Sequence, residues 1–533
     1  MLFTSYSFIA FIAVVFVLYY IVPKKWQWPL LLVFSYVFYW IADPRYLLFI
    51  LVTTVSTWFA GIKMEDINTE QSAYLKEHKA DLSREDKKVY KASMKKKKWS
   101  WLLGALLLNI GILSVTKYTN FVITNINNLF AGEGPLQAID LIIPMGISFY
   151  TFQSMGYVID VYRGKQEAQR NFFKLALFVS FFPQLVQGPI SRYHNVAPSL
   201  FAEHKFDGKT VSFGLTRILW GYFKKMVVAD RIITAVTALI GNTDTYTGSY
   251  VFVAMLFYAF ELYCDFTGGI DITIGIAQTM GITLDENFNM PYFSRTIKEY
   301  WNRWHMTMGT WFTDYIFYPL SVWQPMLDLN KWARKNMGPV LGKRVSVYLC
   351  SFVVWFTTGL WHGAAWNFIV WGLMNFVVIM ISQELEPLYA KFHNKFHVKD
   401  TKGWTVFQIV RTIFLMSMIR MFDCYRDVPM TFKMVGTMFT RINLGIFFDG
   451  SLLQLGIGAA DYLILIIAFA IILGNSLAKV RLANVSGGSV RSYLYEKPAY
   501  VYYGVMAALF LAIIIFGAYG IGYDSSQFIY NQF

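Results

Sequence analysis

The chain has 533 residues, of which 56% are hydrophobic, 18% aromatic and only 15% charged. At a mean hydropathy of +0.41, too little charge remains to cover the several cores a soluble chain of this size would build; disorder is excluded on the same ground. Forty-seven Lys and Arg against 33 Asp and Glu leave a net charge of +14, and its concentration in short loops between apolar runs argues for loops facing the cytoplasm and against nucleic acid as a partner.

The first apolar run, about Tyr6 to Val22, has no basic region before it and no small-residue cleavage site after it, so it is expected to remain as the first helix. A bilayer core takes about 20 mostly apolar residues per helix. Candidate spans are 6–22, 29–42, 45–62, 99–116, 141–159, 172–190, 211–229, 249–264, 266–282, 346–362, 364–382, 404–422, 435–450, 460–478 and 499–522. Several are short or broken by Pro. The expectation is an all-α polytopic membrane protein with roughly 11–13 transmembrane helices plus re-entrant or interfacial pieces, one membrane domain over 1–533. Trp26, Trp28, Tyr39, Trp40, Trp99 and Trp101 stand at span edges, where amphipathic rings prefer the headgroup level and the surrounding lipids.

The tract 63–98 carries eleven Lys and Arg, ending in Lys95-Lys96-Lys97-Lys98. It reads as a basic, solvated and partly helical cytoplasmic loop. Counting back three spans puts Lys24-Lys25 on the same side and the N-terminus outside. In 172–190 the apolar run is interrupted by Pro183 and Pro189, with basic residues on both flanks. That pattern suits a segment that enters the membrane and returns; irregular backbone at that depth lines a cavity or is buried in protein, and a cavity open to the cytoplasm is expected here. The polar loop 383–403 holds His393 and His397 four residues apart, but with no third ligand nearby it reads as a solvated face and no metal is expected. Cys264, Cys350 and Cys424 form no CxxC pair and read as small packing residues. No sequence repeat, GxSxG, phosphate-binding loop or dinucleotide fingerprint is present.

Ionisable groups inside apolar segments mark pathways or catalysis. His362 lies at the junction of two spans, in Thr358-Gly359-Leu360-Trp361-His362-Gly363-Ala364-Ala365-Trp366, where small residues permit close approach. His305 lies in the aromatic, partly charged stretch Glu299-Tyr300-Trp301-Asn302-Arg303-Trp304-His305. Imidazole suits a base that takes a proton from a hydroxyl near neutral pH, and a hydroxyl attacking a thioester needs no covalent enzyme nucleophile. Arg303 and Trp304 are candidates for substrate contact, with interfacial anchoring as the plainer role. Glu261, Asp265 and Asp271 read first as bridges between helices.

These segments together resemble the membrane-bound O-acyltransferase (MBOAT) family, in its bacterial alginate O-acetyltransferase-like branch. The resemblance runs, in order, through Ile143–Gln153, Ile159–Gly164, Phe182–Ile190, Phe223-Lys224-Lys225, Tyr263–Gly268, Glu286-Asn287-Phe288-Asn289, Trp304-His305, Leu360–Gly363 and the closing Phe528–Phe533. Thr313, Ser321-Val322 and Gly269 depart from the branch pattern. The resemblance implies helices around a central funnel, His362 as catalytic base and His305 as its assisting residue. Trp304, Arg303, Trp361, Asp265 and Asp314 are the substrate-binding candidates around them. It also implies a cytoplasmic acyl thioester donor, acetyl-CoA or an acyl carrier, with no bound cofactor. Its acceptor step uses an extracytoplasmic SGNH-hydrolase-like partner that modifies a cell-surface polysaccharide.

The function expected is therefore acyl transfer, acetyl above all, across a bacterial cytoplasmic membrane for polysaccharide O-acetylation. D-alanyl transfer to teichoic acid from a carrier thioester is the alternative within the same fold. A transporter without chemistry is a lesser one, since it leaves Trp361-His362-Gly363 unexplained, and a lipid acyltransferase fits the motif set less well.

Overall fold

The computed structural model describes residues 3–130, 136–399, 401–482 and 489–519. Among them the fold is all-α, and the residues cluster into two units. One comprises Phe3–Val211 with Ile276–Asp285; the other comprises Ser212–Gly275 with the described residues from Glu286 onward. The closing motif at 528–533 lies outside the described residues.

The first unit is built from α1 (Tyr6–Ile21), α2 (Gln27–Ala42), α3 (Tyr46–Glu77), α4 (Arg84–Leu129), α5 (Ile147–Tyr162), α6 (Phe172–Ser180), α7 (Phe182–Gln187) and α8 (Tyr193–Leu200). The basic tract is largely helical. Both α3 and α4 run into it, so it forms a helical hairpin closed by a short turn. Ser83 and Asp86 make a reciprocal capping box at the start of α4, Tyr74 lies against Tyr90 at 4.2 Å, and Lys98 Nζ donates to Asn68 at 2.7 Å. Lysines are good helix formers, so a charge-rich sequence between two spans extends them instead of breaking them. The Pro-interrupted segment is two helices of 9 and 6 residues, too short to span alone. Its residues from Leu175 to Ser191 are buried, which is where irregular backbone is tolerated at membrane depth.

The second unit carries most of α9 (Gly208–Tyr222), α10 (Asp230–Gly241), most of α11 (Ser249–Thr279), α12 (Ile297–Trp301), α13 (Met306–Phe312), α14 (Tyr318–Ser321), α15 (Gln324–Met337), α16 (Pro339–His362), α17 (Trp366–Glu384), α18 (Glu386–Phe396), α19 (Lys402–Tyr425), α20 (Val428–Thr440), α21 (Ala459–Leu482), α22 (Val490–Tyr495) and α23 (Ala499–Phe516). A π-helical turn at Phe223–Ala229 joins α9 to α10, and another at Thr313–Phe317 follows α13. The expected spans 249–264 and 266–282 are one helix. Asp265, which divides them in sequence, is ion-paired to Lys225 at 2.5 Å, so its charge does not end the apolar helix. The expected polar loop 383–403 is largely the exposed helix α18. His393 packs edge-on to Trp404 at 5.4 Å.

Among the described residues, eight helices, α3, α4, α11, α16, α17, α19, α21 and α23, are long and apolar enough to cross a membrane. That is fewer than the expected roughly 11–13 when each span is held to the full bilayer length. The remaining apolar segments are shorter: α1, α2 and α5 have 16 residues each, about 24 Å at the helical rise, and α5 is almost wholly buried. The chain is a multi-pass membrane protein.

Candidate active site

His305 is held by backbone that is neither helix nor loop. Asn289 N–H donates to Arg303 O at 2.9 Å and Met306 N–H to Asn287 O at 3.0 Å, so Asn287–Asn289 and Arg303–Met306 pair as a minimal antiparallel ladder around Phe288 and Trp304. His305, at φ 47°, and Met290, at φ 48°, adopt the left-handed region. That conformation costs a non-glycine residue about 1–3 kcal/mol and persists where surrounding contacts over-determine it. The over-determining group is the Asn287 side chain. Its Oδ1 accepts from Thr307 N–H at 3.1 Å and Thr307 Oγ1 at 2.9 Å, and lies 3.2 Å from His305 Nδ1. A backbone N–H can only donate, so the amide oxygen is the atom facing these groups. His305 Nδ1 therefore carries the proton and Nε2 the lone pair. Burial, and after it the nearby Arg420 guanidinium, hold this imidazole far below its ordinary value, down to about 3. His305 is neutral at any physiological pH.

His362 is placed by different means. It is the last residue of α16, where Gly363 turns extended and stops the helix. Here α16 and α17 meet almost backbone to backbone. A Cβ on Gly359 would stand 2.5 Å from Phe368 O, and one on Gly372 2.4 Å from Trp355 O. Gly359, one of the small residues that suggested close approach, is thus required for it, and Gly372 joins it. This crossing sets the His362 ring 4.6 Å from Trp371 and 6.4 Å from Phe368 on α17. Trp361 links the two histidines, its ring 5.1 Å from His362 and 5.8 Å from His305. Phe266 on α11 closes the other side of His305 at 5.0 Å.

Beneath both histidines lies an arginine among tryptophans. The Arg420 guanidinium is 4.8 Å from the Trp304 ring, 5.1 Å from Trp371 and 5.7 Å from Trp301, and pairs with Asp423 at 3.1 Å. It touches the ring beside His305 and the ring against His362, so α19 braces both.

Of the seven residues expected at the site, His305, His362, Trp304 and Trp361 come together. Arg303 points into a partly exposed ion pair with Glu299 at 2.6 Å. Asp265 is fully buried with Lys225, which also reaches Asp230 at 2.7 Å. The pair holds the turn of α11 that carries Phe266, the ring against His305. Asp314 is half-buried on the π-helical turn after α13. Sequence reasoning passed over Asn287, Trp371 and the Arg420–Asp423 pair. Arg420 was detectable as a cation inside an apolar run; Asn287 was seen only as part of a motif.

The membrane-bound O-acyltransferase family model matches residues 168–425, a stretch that contains both histidines and Arg420. The chain is 31% identical over 391 residues to the "Probable alginate O-acetylase" of Azotobacter vinelandii, covering 72% of this chain and 69% of that one. It is 30% identical over 412 residues to the "Peptidoglycan O-acetyltransferase" of Helicobacter pylori, covering 72% and 68%. It is also 30% identical over 271 residues to the "Teichoic acid D-alanyltransferase" of Bacillus subtilis, covering 50% and 64%. With two buried histidines joined through one tryptophan ring, and relatives of this reach, the chain belongs to the membrane-bound O-acyltransferase family and is an O-acyltransferase.

Proposed function

We propose that this chain moves an acetyl group from a cytoplasmic thioester, acetyl-CoA or an acyl-carrier thioester, to an acceptor hydroxyl presented from the opposite side of a bacterial cytoplasmic membrane. The final product is an O-acetylated cell-surface or cell-wall polysaccharide, reached through an extracytoplasmic SGNH-hydrolase-like partner. The observation that carries the reading is His362, buried at a helix end in an aromatic box and coupled through Trp361 to a second histidine that stays neutral. The alginate and peptidoglycan acetylases among the relatives support the acceptor class.

His362 takes the proton of the acceptor hydroxyl. The oxygen forms a bond to the thioester carbonyl carbon, the carbon–sulfur bond breaks, and the thiolate leaves, taking up the proton. Neutral His305, its Nδ1–H fixed on Asn287, supplies polar contact without competing for that proton. The surrounding tryptophans exclude water, which would otherwise hydrolyse the thioester. His362→Ala should lower acetyl transfer about 10³-fold while the purified protein keeps its thermal midpoint; a folded variant of undiminished activity overturns the assignment.

The Bacillus relative favours a second reading, D-alanyl transfer to teichoic acid from a carrier thioester. Mass spectrometry of the acyl group transferred by the purified protein separates the two.

A further inference from the structure

A cavity of about 490 Å³ lies in the second unit, away from the two histidines' rings. Its size is that of a site for a small organic ligand. One wall is a closed ionic network. Arg217 holds Asp271 at 2.8 Å and Glu286 through two bonds of 2.6 Å, and Lys224 Nζ holds the other Asp271 oxygen at 2.7 Å. Two cations and two carboxylates cancel there. The lining then adds Lys479 and Arg491 with no further acid, a net of two positive charges. Burial, and after it the neighbouring Arg217, pull the Arg491 guanidinium below its ordinary value. Lys479 makes no ion pair among the described residues.

The polarity is graded along the helices. On α21 the lining runs from Ile471 through Asn475 and Ser476 to Lys479, about 12 Å at the helical rise. On α23, Val505 and Leu509 face the same space, well inside the helix. The charges thus gather where α21 ends and α22 begins, and the apolar lining extends toward the middle of the spans.

We propose that this cavity binds an anionic phospholipid, its phosphate between Lys479 and Arg491 and its acyl chain along Ile471, Val505 and Leu509. Charge complementarity selects the headgroup, and the apolar half selects a lipid over a free phosphate. Phe288 and Met290 also line the cavity, and they belong to the segment whose Asn287 holds His305. An occupant therefore rests against the segment that positions this histidine. The inference does not depend on the acyl group or acceptor.

The test is native mass spectrometry of the full-length protein released from bilayers holding equal phosphatidylglycerol and phosphatidylcholine. One phosphatidylglycerol should be retained per chain in preference to phosphatidylcholine. Lys479→Gln, at a half-buried helix end, should weaken retention about fivefold, the effect of one basic residue on an anionic lipid. Val505→Trp, which fills the apolar half without touching charge, should abolish it. Equal retention of the two lipids, or retention unchanged in both variants, overturns the proposal. So does release of the lipid by inorganic phosphate or by coenzyme A alone at micromolar concentration, which would give the cavity to a soluble phosphate.

Discussion

The two histidines reach the same aromatic chamber from backbones of opposite character. His362 ends a regular 24-residue helix, and its orientation follows from a glycine-mediated crossing of two spans. His305 sits on left-handed backbone in a minimal ladder, and its orientation follows from one amide side chain that accepts from three groups. Packing against neighbouring rings places His362. Hydrogen bonding fixes a tautomer and commits one nitrogen. The difference suits the roles proposed above, a base on the helix end and a neutral assistant on the ladder.

The sharpest way to break this comparison is to remove the base. His362→Ala should lower turnover about 10³-fold, within the range that positioned proton transfer contributes, with no loss of folded protein by size-exclusion chromatography. If turnover instead falls only as far as in His305→Ala, the two histidines share one role. Next in size is the brace common to both. Arg420→Met leaves Asp423 buried without its cation and should cost about 3–5 kcal/mol of stability, read as a lowered thermal midpoint. Arg420→Lys should recover part of that midpoint and less of the turnover, because an ammonium does not reproduce the stacked plane on Trp304 and Trp371. Asn287→Ala tests the ladder alone. It should reduce turnover about 100-fold, the scale of a small misplacement; a variant as active as wild type would show that the left-handed backbone holds His305 unaided.

The comparison also separates what was legible in the residues from what was not. Trp361-His362-Gly363 between two apolar runs announces a helix end with close packing, because helix period, glycine and span length are all local signals. The ladder is not local. Asn287 and Thr307 are 20 residues apart, and nothing in either segment states that they pair. The same limit misled the division at Asp265, whose partner Lys225 lies 40 residues away. At 63–98 the run of lysines signals solvent exposure, and nothing in it states how far the two flanking helices extend. Span counting suffered likewise: α5, α6 and α7 are apolar because they are buried in protein, and hydropathy does not distinguish that from lipid.

The smallest expected effect comes from the proton that His305 refuses. In the folded chain its imidazole titrates at about 3, whereas an unfolded histidine titrates near 6.5. Between those values the unfolded state binds the proton and the folded state does not, so stability rises with pH. The contribution is fully present above about pH 6.5 and is lost as the pH falls toward 3. From pH 7 to pH 5.5 the loss should be about 1 kcal/mol. His305→Gln keeps a polar partner for Asn287 without a titrating ring. Its thermal midpoint should therefore fall less than that of wild type over the same interval, although its midpoint at pH 7 is lower. Parallel declines in the two proteins would mean that His305 protonates freely in the fold. The tautomer fixed by Asn287 would then be lost, and with it the distinction between a neutral assistant and a second base.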